Sequence, residues 1–179
     1  MEIIYKQVVS DEELYQILEL QHKNIPTSIS DAEKQKEGFV TVQHDFKTLK
    51  MMNNVCAHSI AKHNNSVVGY ALSMVKEFKN TIPVLQPMFK EIELCINVTT
   101  TNYITMGQIC IDKAYRKQGL FKALYKFMQL QLRSKFDILI TEVDVNNTRS
   151  LNAHKAVGFT ELKRYIFNNQ EWVLLSWNW

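Results

Sequence analysis

The sequence has little of several residue types that would commit it to a special class of protein. Its 179 residues include only 3 cysteines, 5 glycines and 3 prolines. The cysteines, Cys56, Cys95 and Cys110, form no CxxC pair and no cluster with histidine. We therefore expect neither a disulfide framework nor a metal site. So few cysteines favour a reducing compartment and predict a cytoplasmic protein.

Long apolar runs are also missing. No stretch reaches the roughly 18 apolar residues that span a bilayer, and the first residues contain no apolar signal core. Membrane insertion and secretion are therefore not expected. With 46% hydrophobic and 22% charged residues, the chain has the composition of an ordinary folded domain. We expect a single domain over residues 1–179.

Acidic residues are absent from one stretch of a chain whose net charge is only +3. Residues 113 to 135 carry +7, which leaves −4 for the rest of the chain; the basic residues are Lys113, Arg116, Lys117, Lys122, Lys126, Arg133 and Lys135. The small net charge argues against a nucleic-acid-binding protein, which usually carries a larger excess on one face. The stretch is either the solvated face of a helix or the surroundings of an anion site.

The N-terminal half is predicted to contain a strand, helices and a hairpin. Residues 2–9 predict the strand, and Ser10 with Glu13 has the spacing of a capping box that opens a helix. A second capping pair, beginning at Ser30, predicts a polar helix. Residues 39–54 are ambiguous between helix and loop. Two β-prone runs around an asparagine-rich turn then predict the hairpin, and a short helix follows it at 89–94.

The C-terminal half alternates strands and helices more clearly. The predicted elements are strand 103–111, helix 118–134, strand 138–145, helix 150–157 and a hairpin of strands 160–168 and 171–177. A strand, helix, strand unit of this length implies parallel pairing with a right-handed crossover. Together with the hairpins, it predicts an α/β (α+β) fold class. We expect a mixed, mostly antiparallel central sheet of about six or seven strands flanked by helices.

The turn between the strand that ends at Ile111 and the following helix has the features of a phosphate-binding site. A helix N-terminus presents unpaired backbone N–H groups and the positive end of the helix dipole. Gly119 lets the backbone approach a ligand closely, while Arg116, Lys117 and Lys122 add positive charge. The spacing is neither that of a P-loop nor GxGxxG. The turn therefore predicts a cradle for a pyrophosphate.

Two motifs in this half resemble those of the GCN5-related N-acetyltransferase (GNAT) family. Residues 116–121, RKQGLF, resemble its Arg/Gln-x-x-Gly-x-Gly/Ala signature, with Phe121 in place of the last small residue. Residues 147–159, NTRSLNAHKAVGF, resemble its downstream motif, with His154 where many members have a tyrosine. The two motifs stand in the family's order. The resemblance implies a GNAT-like fold and acetyl-CoA as a bound donor.

The resemblance also implies roles for individual residues in binding acetyl-CoA. Backbone groups around Ile109 and Ile111 would bond the acetyl carbonyl and the pantetheine arm, and Asn147 would hold the pantetheine. The remaining predicted cofactor residues come from the two motifs and their flanks: Arg116, Lys117, Gln118, Gly119, Leu120, Phe121, Lys122 and Ser150.

Acetyl transfer to nitrogen requires that the amine lose a proton and that the thiolate leave. The resemblance makes Glu142 the candidate base, while Asp144, which points to the same face of the strand, is the alternative. His154 stands at the position of the family's general acid, and is either that acid or a helix histidine packed beside the cofactor. Cys110 as an acyl-enzyme nucleophile is disfavoured, because a cysteine in a strand is usually a small core residue.

We therefore predict a cytoplasmic, acetyl-CoA-dependent N-acetyltransferase that moves the acetyl group directly to a primary amine. The alternative is a non-catalytic CoA-binding or regulatory domain on the same scaffold, which the departures at Phe121 and His154 would suit. The acceptor is a small-molecule or peptide amine that no motif identifies. No nucleic acid or membrane partner is expected, and the resemblance allows a homodimer.

Overall fold

A computed structural model describes residues 2–28, 30 and 38–179 of the chain. The polar helix predicted after Ser30 lies outside these residues and stays a prediction. The described strands are β1 (Ile4–Gln7), β2 (Ser59–His63), β3 (Ser66–Met74), β4 (Tyr103–Ile111), β5 (Ile138–Asp144), β6 (Thr160–Phe167) and β7 (Gln170–Asn178). The described α-helices are α1 (Asp11–His22), α2 (Phe46–Val55), α3 (Gln86–Cys95), α4 (Leu120–Leu132) and α5 (Thr148–Val157).

All seven strands belong to one sheet in the order β1-β2-β3-β4-β5-β7-β6. Strands β4 and β5, which the crossover helix α4 connects, pair in parallel. The other five neighbouring pairs are antiparallel. The predicted fold class, a mixed and mostly antiparallel sheet flanked by helices, is confirmed. Every residue of β3 after Ser66 is buried, which requires cover on both faces of the sheet. Helices α1 and α4 both pack against this strand.

Capping side chains explain where two of the helices begin. Ser10 Oγ accepts the backbone N–H of Glu13 at 3.3 Å, as predicted for α1. Asp45 does the same for α2 by accepting the N–H of Thr48 at 2.7 Å. This second cap resolves the ambiguous segment 39–54, in which the helix begins only at Phe46.

A long insertion between β3 and β4 covers part of the sheet. It contains two short 3₁₀ turns and helix α3, which is longer than the predicted 89–94 because Pro87 is tolerated in a first turn. Met88, Phe89 and Ile92 are buried beneath the helix. Lys163 of β6 donates to Glu91 at 2.5 Å. The insertion is thereby fastened to the edge strand β6.

Glu13 joins α1 to the first two strands through a partly buried cluster of charges. Its carboxylate accepts from Lys6 at 2.6 Å, Lys62 at 3.0 Å and the N–H of Val9 at 3.0 Å. The carboxylate thus binds the N–H of Val9, the residue before the cap. Burial alone would raise the pKa of Glu13, but these hydrogen bonds lower it to about 2. The ionised carboxylate therefore stabilises the folded chain.

Replacing Glu13 with Gln should lower the free energy of unfolding at pH 7 by about 2 kcal/mol, as expected for charge-assisted hydrogen bonds. Because the folded pKa lies below the ordinary value of 4.5, the stabilisation is complete above that value and is lost as the pH falls toward about 2. Urea unfolding at several pH values measures both effects. The exposed neighbour variant Glu12→Gln is the control, and equal losses in the two variants would contradict the assignment.

Candidate active site

The sheet is split between β4 and β5. Their pairing covers only the first three residues of each strand, and beyond it residues of both strands line a cavity of about 60 Å³. On the other edge of β4, the N–H of Asp112 donates to the carbonyl of Val68 at 2.9 Å. Because hydrogen-bonded pairs alternate along an antiparallel ladder, the backbone groups of Ile109 and Ile111 point into the split. This is the orientation that their predicted role requires.

The turn from β4 into α4 leaves a helix N-terminus facing open space. Lys117 and Gly119 both have left-handed backbone, with φ of 62° and 84°. Gly119 is the N-cap and offers no side chain to the first N–H groups of the helix. A Cβ at Gly119 would meet none of the described atoms within 4 Å. The N–H groups and the positive end of the helix dipole are therefore available to an anion.

A cavity of about 310 Å³ lies in front of this helix N-terminus and has mostly apolar walls. Ten of the predicted cofactor residues line it: Ile109, Ile111, Arg116, Lys117, Gly119, Leu120, Phe121, Lys122, Asn147 and Ser150. Gln118 is exposed, and its Nε2 donates to the carbonyl of Ala114 at 3.1 Å. An apolar channel beside exposed lysines and a helix N-terminus fits a pantetheine arm that ends in phosphates.

Arg116, one of the basic residues of the predicted cradle, forms hydrogen bonds with other residues of the protein. Its Nε donates to the carbonyl of Ile111 at 3.0 Å, and its Nη2 donates to Asn24 Oδ1 at 2.5 Å. These bonds fix the guanidinium across the base of the turn. Lys117 and Lys122 are the exposed cations of the predicted cradle.

The segment 38–45 bridges the split and is tied down by two amide side chains. Asn147 Nδ2 donates to the carbonyl of Phe39 at 3.1 Å, and Gln108 Nε2 donates to the carbonyl of Val42 at 2.6 Å. Asn147 also caps α5, since its Oδ1 accepts an N–H of the first turn. The predicted contact of Asn147 with pantetheine stays a prediction, but its place in the cavity wall is set by these bonds.

His154 lies in a cluster of aromatic rings and is only 1% exposed. Its Nδ1 donates to the carbonyl of Ser150 at 2.7 Å, which leaves Nε2 to accept from the Tyr125 hydroxyl at 2.7 Å. Burial lowers the pKa of His154 to about 4, so the ring is neutral at pH 7. The ring of Phe121 meets it edge-on, with centroids 5.1 Å apart. These contacts favour the packed histidine over the general acid, whose role stays a prediction.

Glu142 lies half-buried in β5 and lines the cavity at the split. The hydroxyl of Tyr165 on β6 donates to its Oε2. Burial raises the pKa of Glu142 to about 7, although the hydrogen bond from Tyr165 acts in the opposite direction. A carboxyl group with a pKa near neutral can take up and release protons at physiological pH.

The structure distinguishes Glu142 from Asp144, the alternative base, and from Cys110, the disfavoured nucleophile. Asp144 Oδ1 accepts from the N–H of Asn146 at 2.8 Å, and its Oδ2 accepts from Gln170 Nε2 at 2.6 Å. Its carboxylate therefore holds the turn after β5 to the β6–β7 hairpin. Burial raises the pKa of Cys110 to about 12, so its thiol stays protonated and is a poor nucleophile.

Four residues of the site were not identified from the sequence. Tyr115 and Arg149 line the larger cavity and lie beside the two motifs, so proximity along the chain could have indicated them. Asn24 reaches Arg116 from the end of α1, and Tyr165 reaches Glu142 from β6. These two contacts depend on helix packing and strand register, and no local sequence pattern predicts them.

Among residues 2–28, 30 and 38–179, no group of three or more His, Cys, Asp and Glu side chains could hold a metal ion. Within the same ranges, no helix is long and apolar enough to cross a membrane. The described site offers an anion-binding helix N-terminus, backbone groups of a split strand and a carboxyl group near them. These features fit the CoA thioester and the acyl transfer that the sequence resemblance implies.

Comparison with known proteins gives the same class. A model of the acetyltransferase (GNAT) family matches residues 12–159. The sequence has no significant match among curated proteins. A chain of the NatC complex bound to Gag peptide and CoA is similar in fold. It is 19% identical, with a TM-score of 0.70, and the match covers 100% of this chain and 99% of that one.

Two further solved structures share the fold. The ribosomal-protein-S18-alanine N-acetyltransferase from Escherichia coli is 13% identical, with a TM-score of 0.65, and the match covers 99% of this chain and 94% of that one. The protein yncA from Salmonella typhimurium, solved with its cofactor acetyl-CoA, is 11% identical, with the same TM-score and the same coverage.

The chain belongs to the GNAT family of acetyltransferases, because the family model matches well over half of it. It is an acyltransferase, and acetyl-CoA is its donor. The family, the enzyme class and the cofactor predicted from the two motifs are thereby confirmed.

Replacing Lys117 or Lys122 with Gln should weaken CoA binding about two- to fivefold at low salt, as expected for exposed ion pairs. The loss should shrink as salt screens the charges. Isothermal titration calorimetry at two ionic strengths measures the change. Lys126→Gln, one turn further along α4, is the matched control; an equal loss in that variant would mean that the phosphates lie elsewhere.

Replacing His154 with Ala should reduce stability much more than turnover. The change removes an aromatic packing partner and leaves the buried hydroxyl of Tyr125 unpaired, which costs about 2–4 kcal/mol. Denaturant unfolding and the turnover of the folded variant are measured together, with exposed Lys155→Ala as the control. A loss of turnover beyond about a hundredfold with unchanged stability would instead identify His154 as the general acid.

Proposed function

We propose that the chain transfers the acetyl group of acetyl-CoA directly to a primary amine, with Glu142 as the general base. The observation that carries this proposal is the place of Glu142. It lines the cavity at the split beside the β4 backbone, and burial holds its pKa at about 7. A base with this pKa is ionised in a large fraction of molecules at neutral pH, yet it can still accept a proton.

Binding of the donor is assigned to the first motif and to β4. The N–H groups that open α4, with Lys117 and Lys122, hold the pyrophosphate. The apolar walls accept the pantetheine arm, and the gap-facing N–H and C=O groups of Ile109 pair with its amides or with the acetyl carbonyl. Acetyl-CoA supplies the thioester whose acetyl carbon the amine attacks. The backbone groups among these are fixed before a ligand arrives, which limits the reorganisation needed for reaction.

The proton inventory of the step is simple. The amine nitrogen forms a bond to the acetyl carbon as the thioester C–S bond breaks, and the nitrogen loses a proton. Glu142 takes that proton, directly or through a water molecule, and later returns it to solvent. The sulfur leaves as the CoA thiolate or, after protonation, as the thiol. No covalent bond to the protein is needed, which agrees with the buried, protonated state of Cys110.

A peptide amine is the better supported of the two predicted acceptor classes. One of the similar structures is a ribosomal-protein N-acetyltransferase by name, and another is bound to a peptide. Phe39, Thr41 and Trp172 line the cavity at the split together with Glu142. Aromatic walls beside a carboxyl group suit the end of a chain that carries an amine. The cytoplasmic location, the single domain and the homodimer stay predictions.

Replacing Glu142 with Gln should lower kcat about 10²- to 10⁴-fold on any amine that the native protein acetylates, because the base is removed. In the native protein, kcat/KM should rise with pH and level off above about 7, since only the ionised carboxylate accepts a proton. Thiol release is measured over a panel of peptide and small-molecule amines, with exposed Glu161→Gln as the matched control.

Two results would overturn parts of the proposal. Full activity of Glu142→Gln would reject the base while leaving the enzyme class intact. Absence of turnover on every amine of the panel, together with a CoA-dependent rise in Tm, would favour the non-catalytic alternative over acetyl transfer.

A further inference from the structure

Tyr165 lies between two cavities, near the edge of the sheet that the β6–β7 hairpin forms. It lines an outer cavity of about 550 Å³ between α3 and β6. Its hydroxyl donates to Glu142, which lines the inner cavity at the split. A single half-buried side chain therefore connects the outer cavity with the proposed base.

The sheet and the insertion fix the position of Tyr165. Across β7, Lys163 lies in one row with Leu174 and Glu142. Tyr165 lies two rows along on the same face, in register with Trp172 and Asp144. The phenol therefore reaches its carboxylate diagonally across the intervening strand. The ion pair of Lys163 with Glu91 at 2.5 Å fastens β6 to α3 just beside this point. Register and insertion together hold the hydroxyl against Glu142.

We infer that Tyr165 is a positioning residue for the transfer: its hydroxyl aims the Glu142 carboxylate at the split and favours the ionised form. The inference rests on the proposed role of Glu142 as base. Tyr165 itself exchanges no proton with the amine. Burial and the neighbouring Glu142 raise the pKa of the phenol, so it remains a donor throughout the working pH range.

The other ionisable groups around Glu142 are engaged elsewhere. They are Asp144 on β5, Lys163 on β6, Glu91 on α3 and His154 on α5. Asp144 holds the turn after its strand, Lys163 and Glu91 pair with each other, and the His154 ring is bonded to Ser150 and Tyr125. Tyr165 is thus the donor that the described structure places on the Glu142 carboxylate. Its loss should act on that carboxylate directly.

The direct test is the titration of Glu142 in the native protein and in Tyr165→Phe, a change that removes one oxygen. Carboxyl-¹³C-labelled glutamate reports each titration by NMR, and Glu142→Gln identifies the resonance. A hydrogen bond to a charged group stabilises the ionised form, so the Glu142 titration should move upward by about one pH unit in Tyr165→Phe. Tyr15→Phe, on a half-exposed ring of α1 stacked on Phe46, is the matched control and should move nothing.

The enzymatic readout uses the best amine of the panel. In Tyr165→Phe the rising limb of kcat/KM should shift upward by the same amount as the Glu142 titration. The KM for acetyl-CoA should stay unchanged, because Tyr165 lies outside the cavity that binds the donor. An activity loss that is equal at every pH would indicate a merely structural role and would overturn the inference.

The outcomes distinguish this inference from the proposed function. An unchanged Glu142 titration in Tyr165→Phe overturns the inference, whether or not any amine is acetylated. A shifted titration in a protein that acetylates no amine supports the pairing of the two residues and rejects the function. If Tyr165→Phe does not fold, the reciprocal measurement decides. In Glu142→Gln the ring-labelled Tyr165 should titrate at lower pH than in the native protein, and an unchanged titration would overturn the pairing.

Discussion

The early end of the β4–β5 pairing is the constraint on which the rest of the site depends. Buried backbone N–H and C=O groups must find partners, and on this edge of β4 those of Ile109 and Ile111 have lost their strand neighbour. Arg116 meets part of this need by donating to the carbonyl of Ile111. The segment 38–45, tied by Gln108 and Asn147, shelters the split. Among the described residues, the backbone N–H and C=O groups that remain unpaired along the split can form hydrogen bonds with a thioester and with the amides of its pantetheine arm.

Local sequence patterns predicted the part of the site assigned to acetyl-CoA. The part assigned to the amine depends on long-range packing. The β4–α4–β5 unit could be read from periodicity, because its strands and helix follow one another and its glycine turn lies between them. The cradle could be named for the same reason, whereas Glu142 was named only through the family resemblance. Tyr165 could not, since its bond to Glu142 depends on the register of β6 against β7 and of β7 against β5. The anchoring of α3 on β6 likewise has no local signal.

The two departures from the family motifs lie in contact with each other in the fold. Read along the sequence, Phe121 weakens the first motif and His154 weakens the second, and each argues separately against catalysis. In the fold the two rings meet edge-on. Phe121 is larger than the small residue of the first motif, and His154 is smaller than the tyrosine of the second. A core of nearly constant volume tolerates such paired exchanges. Motif positions that touch each other are therefore better judged as a pair.

The β6–β7 hairpin begins where the family match ends. The match stops at residue 159, and Tyr165, Lys163 and Trp172 all lie beyond it. The matched residues include all those that line the cavity assigned to the donor. In the proposed function, residues beyond the match and in the segment 38–45, among them Trp172 and Phe39, line the cavity that would take the acceptor. Homology at this level can assign the reaction while remaining silent about the biological target, and two proteins with the same motifs can serve unrelated pathways.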